Sequence, residues 1–297
     1  MSSPLTRAQL LSLVALTLMW GINWPLMKFA LRELSPLYLR ALTMTGGAIW
    51  LFWYFRWQGL RMWPERQEWA TVIRLGLPNM LGWHTLSILG VNELASGRAA
   101  ILGFTMPIWA VMLGVLFLGE RLTRRISFAV LAVAISLTLL TFNEITEMSG
   151  HPWGIVWMEL AALAWAIGTV MMRHARLSLP IETLTVWMML LTAGCMWLMA
   201  GLSEPWPSWD FSALMWLALT YSVLINYGVA QSIWATLARH LPPATSAMSI
   251  MAVPLVGTAG AMVMLGEWPH WQDYVAALFV TSAIAMVLLP HRSRMTV

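Results

Sequence analysis

The stretch Met106–Arg121, MPIWAVMLGVLFLGER, returns later in the chain as Ala252–Trp268, AVPLVGTAGAMVMLGEW. A shift of 147 positions places Pro107 on Pro254 and superposes the Leu-Gly-Glu triplet near the end of each stretch. Weaker matches continue on both sides. The chain therefore contains one apolar unit twice, and an internal repeat of this length decides the architecture.

The composition indicates a membrane protein. Of the 297 residues, 59% are hydrophobic and only 10% are charged, whereas a soluble globular protein carries about 25% charged residues. The net charge of +4 comes mostly from basic residues in short loops, so we expect a lipid bilayer and no nucleic acid as the partner. The single Cys195 excludes an internal disulfide and a CxxC metal site, and we expect no metal and no cofactor.

Ten segments are long and apolar enough to cross a bilayer. A membrane-spanning helix needs about 20 apolar residues, and these segments are too long for the strands of a membrane barrel. The first is read as a retained span, because no signal-peptide cleavage site follows it. The sequence predicts an all-α integral membrane protein with helices at roughly 9–31, 36–56, 69–91, 99–118, 126–143, 152–173, 182–202, 211–236, 244–265 and 271–290.

The ten spans divide into two halves of five, residues 1–147 and 148–297. Because five is odd, the second half enters the membrane from the opposite side. The prediction is therefore two inverted five-helix repeats, an architecture that secondary transporters use.

The basic residues predict the orientation. Twelve arginines lie near the two termini and in alternate loops, whereas the loops on the other side of the predicted membrane carry only Arg32 and Arg98. Cytoplasmic loops are enriched in Lys and Arg, so we expect both termini in the cytoplasm. The basic residues on the predicted cytoplasmic side are Arg7, Arg56, Arg61, Arg66, Arg121, Arg124, Arg125, Arg173, Arg176, Arg239, Arg292 and Arg294.

The chain resembles the EamA-type transporters of the drug/metabolite transporter superfamily in three features. It has ten spans, the fourth span of each half contains a proline, and Leu-Gly-Glu closes that span. The second copy departs from the first after its glutamate, with Trp268-Pro269 in place of Arg121-Leu122. The resemblance implies a bacterial inner-membrane protein that exports small metabolites from the cytoplasm through a central cavity. The branch that this chain resembles most is the exporters of amino acids, aromatic ones included.

Polar and aromatic residues at mid-depth are costly in a membrane and therefore indicate a site. The 147-residue shift places Asn79 on Asn226 and His84 on Gln231. We predict that these side chains line a substrate cavity between the repeats; for the two asparagines, hydrogen bonding between helices is the alternative. The predicted substrate-binding residues are Trp20, Asn23, Asn79, Trp83, His84, Trp165, Asn226, Tyr227 and Gln231.

The repeated prolines and three acidic residues also invite functional interpretations. Pro107 and Pro254 each remove a helical hydrogen bond, and we predict that they are flexing points for gating, with static kinks as the alternative. Glu120 and Glu267 are predicted to anchor turns rather than to couple protons. Glu159 lies well inside its span, where it either lines a wet outer vestibule or titrates.

The sequence carries no nucleophile–base pair and no HExxH or similar motif, so we expect no catalytic residue and no enzyme. A channel would need a continuous polar stripe, which is missing from every span. Lys28 and Arg40 are expected to snorkel outwards, which leaves a cavity of low fixed charge. That cavity favours passive or weakly coupled efflux of neutral and aromatic amino acids, with a proton-coupled drug or metabolite exporter as the alternative. The oligomeric state stays open.

Overall fold

The computed structural model describes residues 6–146, 150–175, 177–234 and 243–288. Arg176, Arg239, Arg292 and Arg294 lie outside the described residues, and so does the junction predicted at residue 147. Every regular element in the described ranges is helical. The predicted fold class is confirmed: the chain is an all-α membrane protein, and the ranges described contain ten helices.

The ten helices begin and end within three residues of the predicted bounds wherever both ends are described. Six of them, α1 and α4 to α8, are long and apolar enough by composition alone to cross a membrane. The helices are α1 (Arg7–Ala30), α2 (Pro36–Trp57), α3 (69–93), α4 (Ser96–Phe117), α5 (Arg124–Thr146), α6 (Pro152–His174), α7 (Ile181–Ser203), α8 (Ala213–Trp234), α9 (Pro243–Leu265) and α10 (Trp271–Leu288).

The Leu-Gly-Glu triplets end α4 and α9 in the same way. Gly119 has φ 70° and Gly266 has φ 69°, a left-handed conformation that glycine adopts at little cost. The N–H of Glu120 donates to the Gly114 carbonyl at 3.2 Å, and the N–H of Glu267 donates to the Ala261 carbonyl at 3.2 Å. In each copy a left-handed glycine and a backbone hydrogen bond that reaches six residues back end the helix, so the repeated triplet is first of all a helix terminator.

The two repeats pack against each other around a pseudo-twofold axis. The end of α7 meets the start of α2, where Glu204 accepts from the N–H groups of Leu37 and Tyr38. The start of α7 meets the loop after α2, where the Thr183 hydroxyl donates to the Arg61 carbonyl. Thus α2 and α7 run antiparallel, as equivalent helices of inverted repeats must. In addition, α1 of the first repeat packs on α9 of the second, and α6 packs on α4.

Three helices depart from regular α geometry near the centre of the bundle. Helix α4 is interrupted at Phe104 and Thr105, between the halves Ser96–Gly103 and Met106–Phe117. Helix α3 contains a π segment at Leu77–Gly82, and α8 contains one at Tyr221–Val229. The repeat shift places 77–82 within the second π segment. Such π turns occur often at functional sites.

Arg98 corrects the loop assignment made from the sequence. It lies in the first turn of α4 and is 5% exposed. Its guanidinium pairs with Asp273 at 2.7 Å and with Glu144, and it also donates to Asn143. The charge therefore holds α4, α5 and α10 together instead of marking a loop.

Candidate functional site

A cavity of about 530 Å³ lies between the two repeats. All nine residues predicted to bind substrate line it, and they come from α1, α3, α6 and α8 of both repeats. The volume falls within the range of about 300–1,000 Å³ that is usual for small-molecule sites. The structure thus brings these residues together, and their role in binding stays a prediction.

Arg40 is a central feature that sequence reasoning missed. It is 5% exposed, lines the cavity and does not snorkel. Its Nη1 donates to the Tyr227 hydroxyl at 2.9 Å, and its Nη2 reaches the Ser87 hydroxyl at 3.4 Å. The Tyr227 hydroxyl lies 3.4 Å from Nδ1 of His84. A chain of polar side chains therefore crosses the cavity from α2 through α8 to α3.

The aromatic wall of the cavity adjoins this polar chain. Trp83 and Trp165 meet edge to face, with ring centroids 4.5 Å apart, and Trp24 and Phe104 pack at 6.5 Å. Gly103, directly before the interruption of α4, lets the rings of Trp24 and Trp83 approach: a Cβ there would lie 3.1 Å from both. The interrupted part of α4 therefore packs against the aromatic wall.

Helix α1 supplies both a polar and an aromatic contact to α8. The Ser222 hydroxyl donates to Oδ1 of Asn23 at 3.3 Å. Trp20 packs on Trp234 with centroids 5.6 Å apart. The π segment of α8 carries Ser222 and ends close to the lining residue Gln231. The first span and the second π segment thus shape one side of the cavity.

The two asparagines occupy equivalent π segments. Asn79 donates to the Leu75 carbonyl of its own helix at 3.0 Å, and its side chain lies against Gly168 of α6, where a Cβ would collide with it. Asn226 is 8% exposed at the cavity wall. The widened turns therefore present both amides at one depth of the bundle, and both the binding and the bundle-packing interpretations remain predictions.

Pro107 and Pro254 lie beside the cavity and are not among its lining residues, although their neighbours Met106 and Val253 are. Pro107 opens the second half of α4, directly after the interruption. Pro254 lies inside α9, which continues without a break. The sequence suggested the same bend in both repeats. In the structure, α4 is interrupted beside Pro107, whereas α9 is continuous through Pro254. Gating by either proline stays a prediction.

Glu159 contacts the interruption of α4. Its carboxylate accepts from Nε1 of Trp109 at 2.8 Å and from the Thr105 hydroxyl at 3.2 Å. The side chain is half-buried between α6 and α4 and is not one of the cavity-lining residues. The Glu159 carboxylate is thus hydrogen-bonded to α4 at and just after its interruption.

The cavity extends towards the face of the bundle that carries the N-terminus. Phe55 and Met172 near the ends of α2 and α6, and Glu182 at the start of α7, line it. At the opposite face, Lys28 donates to the carbonyls of Val91 at 3.0 Å and Asn92 at 2.7 Å, and so closes α1 onto the end of α3. Lys28 therefore caps a helix and does not snorkel.

Sequence comparison identifies the family. The model of the EamA-like transporter family matches residues 7–142 and again residues 152–289. The chain belongs to the EamA-like transporter family. EamA membership makes the protein a membrane transporter, and the two matches reproduce the internal repeat.

Three curated relatives of this EamA protein are called uncharacterized transporters. YvbV of Bacillus subtilis is 26% identical, covering 96% of this chain and 92% of its own length, and YoaV of the same organism is 22% identical, covering 93% and 95%. YedA of Escherichia coli, called an inner membrane transporter, is 22% identical over 94% and 90%. A solved structure described only as "Crystal structure of protein" superposes with a TM-score of 0.66 at 20% identity, covering 96% of this chain and 98% of that one, and shows the fold alone.

Proposed function

We propose that this EamA-type transporter exports neutral and aromatic amino acids from the bacterial cytoplasm by alternating access, passively or with weak coupling. The observation that carries the proposal is the cavity between the repeats, with Trp83 and Trp165 on its wall and hydrogen-bonding groups at its centre. An amphipathic solute of amino-acid size uses both kinds of surface.

The direction of transport follows from two features together. The cavity extends towards the N-terminal face, and the basic loops assign that face to the cytoplasm. The opposite face is closed by Lys28 on α3 and by Glu267 on Ser96. These features support a carrier whose cavity takes up substrate from the cytoplasm and whose proposed halves, residues 1–147 and 148–297, rock about it.

Counterflow in proteoliposomes tests the proposal. Vesicles that contain the purified chain and are preloaded with unlabelled phenylalanine should accumulate labelled phenylalanine without a pH gradient. Leucine and tryptophan should compete, because a pocket with mainly apolar walls discriminates weakly between related side chains. Vesicles without the protein, preloaded in the same way, are the control. Absence of amino-acid exchange in both the presence and the absence of a pH gradient would contradict the proposal.

A proton-coupled drug or metabolite exporter is the second candidate, and Glu159 is the observation that favours it. Its carboxylate contacts Thr105 and Trp109 at the interruption of α4, where a change of charge would alter the helix that borders the cavity. If coupling runs through this group, Glu159→Gln should remove the response of transport to an imposed pH gradient and leave exchange intact. A gradient response that persists in Glu159→Gln would exclude this residue as the coupling site.

A further inference from the structure

The central cavity contains a buried cation that has no anionic partner among the residues that the structure describes. Arg40 is 5% exposed and lines the cavity. In the part of the chain that the structure describes, the salt bridges formed by arginines are those of Arg61 and Arg98, and none includes Arg40. Ionised groups inside membrane bundles are costly, and they pair with one another or mark substrate pathways. The uncompensated guanidinium therefore calls for an anion.

The hydrogen bonds of Arg40 leave some of its N–H groups without a partner among the described residues. Nη1 donates to Tyr227 at 2.9 Å, and the contact of Nη2 with Ser87 is long at 3.4 Å. Nε is buried and has no hydrogen-bond partner among the described residues. A guanidinium presents five N–H groups in a planar fork that matches the two oxygens of a carboxylate. The remaining donors fit an acceptor that enters with the ligand.

The surface next to this guanidinium is aromatic. Contacts run from Tyr227 to His84, with ring centroids 5.8 Å apart, then to Trp83 at 6.5 Å and to Trp165 at 4.5 Å. A small molecule with its anionic group on Arg40 can therefore place its apolar part against the tryptophans.

The charges in the cavity limit the anion to one negative charge. Among the residues described as lining it, Arg40 is the one permanent cation. One guanidinium balances a monocarboxylate, whereas a phosphate dianion would call for further cations.

We propose that Arg40 anchors a carboxylate-binding subsite, held in place by Tyr227, and that the transported molecule is a small monocarboxylate with an aromatic or large apolar side chain. The inference rests on the proposed function, because it takes the central cavity as the transport site. According to this inference, the site requires the carboxylate of the ligand and does not require its ammonium group.

Ligand pairs test the requirement on the unmodified protein. Inhibition of phenylalanine counterflow is measured with 3-phenylpropionate, which keeps the carboxylate and lacks the ammonium, and with phenethylamine and phenylalaninamide, which lack the carboxylate. The acid should inhibit at a concentration at least about tenfold lower than the other two, since a charge-assisted hydrogen bond is lost without it. Equal inhibition by the amide or the amine would overturn the inference while amino-acid transport stands.

Substitution then assigns the subsite to Arg40. Arg40→Gln should weaken inhibition by 3-phenylpropionate at least about tenfold and leave the weak effect of phenethylamine nearly unchanged. Arg74→Gln, which removes an exposed cation of α3 outside the cavity, should change neither. Equal effects of Arg40→Gln on both ligands would assign Arg40 a purely structural role. If that variant does not fold, the ligand pairs on the unmodified protein still decide whether the site requires a carboxylate.

A binding measurement separates the two proposals. If phenylalanine does not exchange at all, the amino-acid proposal fails, and thermal stabilisation of the purified chain by 3-phenylpropionate is compared with that by 3-phenylpropionamide. Stabilisation by the acid alone supports the carboxylate subsite. Stabilisation by both ligands or by neither overturns it.

Discussion

The Glu267 carboxylate accepts two hydrogen bonds of 2.8 Å from Ser96, one from the backbone N–H and one from the hydroxyl. A carboxylate at a helix N-terminus satisfies free N–H groups and interacts favourably with the helix dipole. The contact joins the end of α9 to the start of α4, and therefore one repeat to the other. Glu120, the equivalent residue by the 147-residue shift, is exposed. Glu267 therefore anchors the turn after α9, as predicted, and it does so by capping α4.

Glu267→Gln should loosen the closed end of the cavity, because the amide accepts weaker hydrogen bonds than the carboxylate. The measurement uses Met27→Cys, a buried cavity position near the end of α1, in a Cys195→Ser background. A membrane-impermeant thiol reagent applied from outside the cell should label this cysteine several-fold faster when Glu267→Gln is present. Glu120→Gln is the matched control and should not change the rate. Equal rates in all three proteins would show that the Ser96 contact does not hold this end closed.

Pro107→Ala should slow transport more than Pro254→Ala does. Alanine restores the missing backbone donor, and at residue 107 this would allow α4 to close across its interruption, whereas α9 is already continuous. Counterflow rates are compared at matched amounts of folded protein, judged by gel filtration. Two variants with unchanged rates would make both prolines static features of their helices.

Cysteines placed at Trp83, His84, Trp165 and Tyr227 should be protected by substrate. These residues line one cavity, so a bound amino acid should slow their reaction with a water-soluble thiol reagent in the Cys195→Ser background. A cysteine at Trp63, which is 64% exposed in the loop between α2 and α3, is the control and should react at the same rate with and without substrate. Lack of protection at all four positions would move the binding site elsewhere.

Glu68 should make folding stability depend on pH. This carboxylate, in the loop before α3, accepts from the Glu65 N–H, the Arg61 guanidinium and the Ser178 hydroxyl, each at 2.7 Å. The Glu65 N–H first, and then the hydrogen bonds of Arg61 and Ser178, lower the pKa of Glu68 below its ordinary value of 4.5. Since the folded-state pKa is the lower one, the stabilisation is complete above pH 4.5 and is lost as the pH falls through the folded-state value.

Thermal melting in detergent at neutral and acidic pH measures this effect. Glu68→Gln should lower the melting temperature at pH 7 and reduce the further decrease seen near pH 4. Glu65→Gln removes a more exposed partner of Arg61 and should have the smaller effect. An unchanged acid-induced decrease in Glu68→Gln would assign the pH dependence to other carboxylates.

Reporter fusions should place both termini in the cytoplasm. A periplasm-active reporter fused after Val297 should stay silent, and the same reporter inserted within residues 143–150 should be active, because the basic loops lie on the other side. The reverse pattern would contradict the orientation and, with it, the direction of export.

Much of the fold could be predicted from the sequence because bilayer spanning is a property of each segment. The helices at 36–57 and 152–174 match their predicted bounds within one residue at each end. The nine cavity residues were found for a related reason: Asn79 or His84 at mid-depth carries a desolvation cost that a membrane helix does not accept without a partner or a function. The π segments were not predicted, since hydropathy does not report which carbonyl accepts from each N–H group.

By itself, the sequence determined the helix number, the inverted repeat, the Leu-Gly-Glu helix ends and nine of the residues that line the cavity, because each depends on local length, hydropathy or backbone conformation. Only the tertiary structure decided how the charges are used. Arg40 lies four residues after the first residue of α2, where the sequence suggested an outward-turning side chain, yet Tyr227 and Ser87 from two other helices enclose it. Likewise, Glu267 binds Ser96 from the other repeat. The physical reason is that a buried polar group takes its partners from the helices that pack around it, and those contacts join residues far apart in the chain.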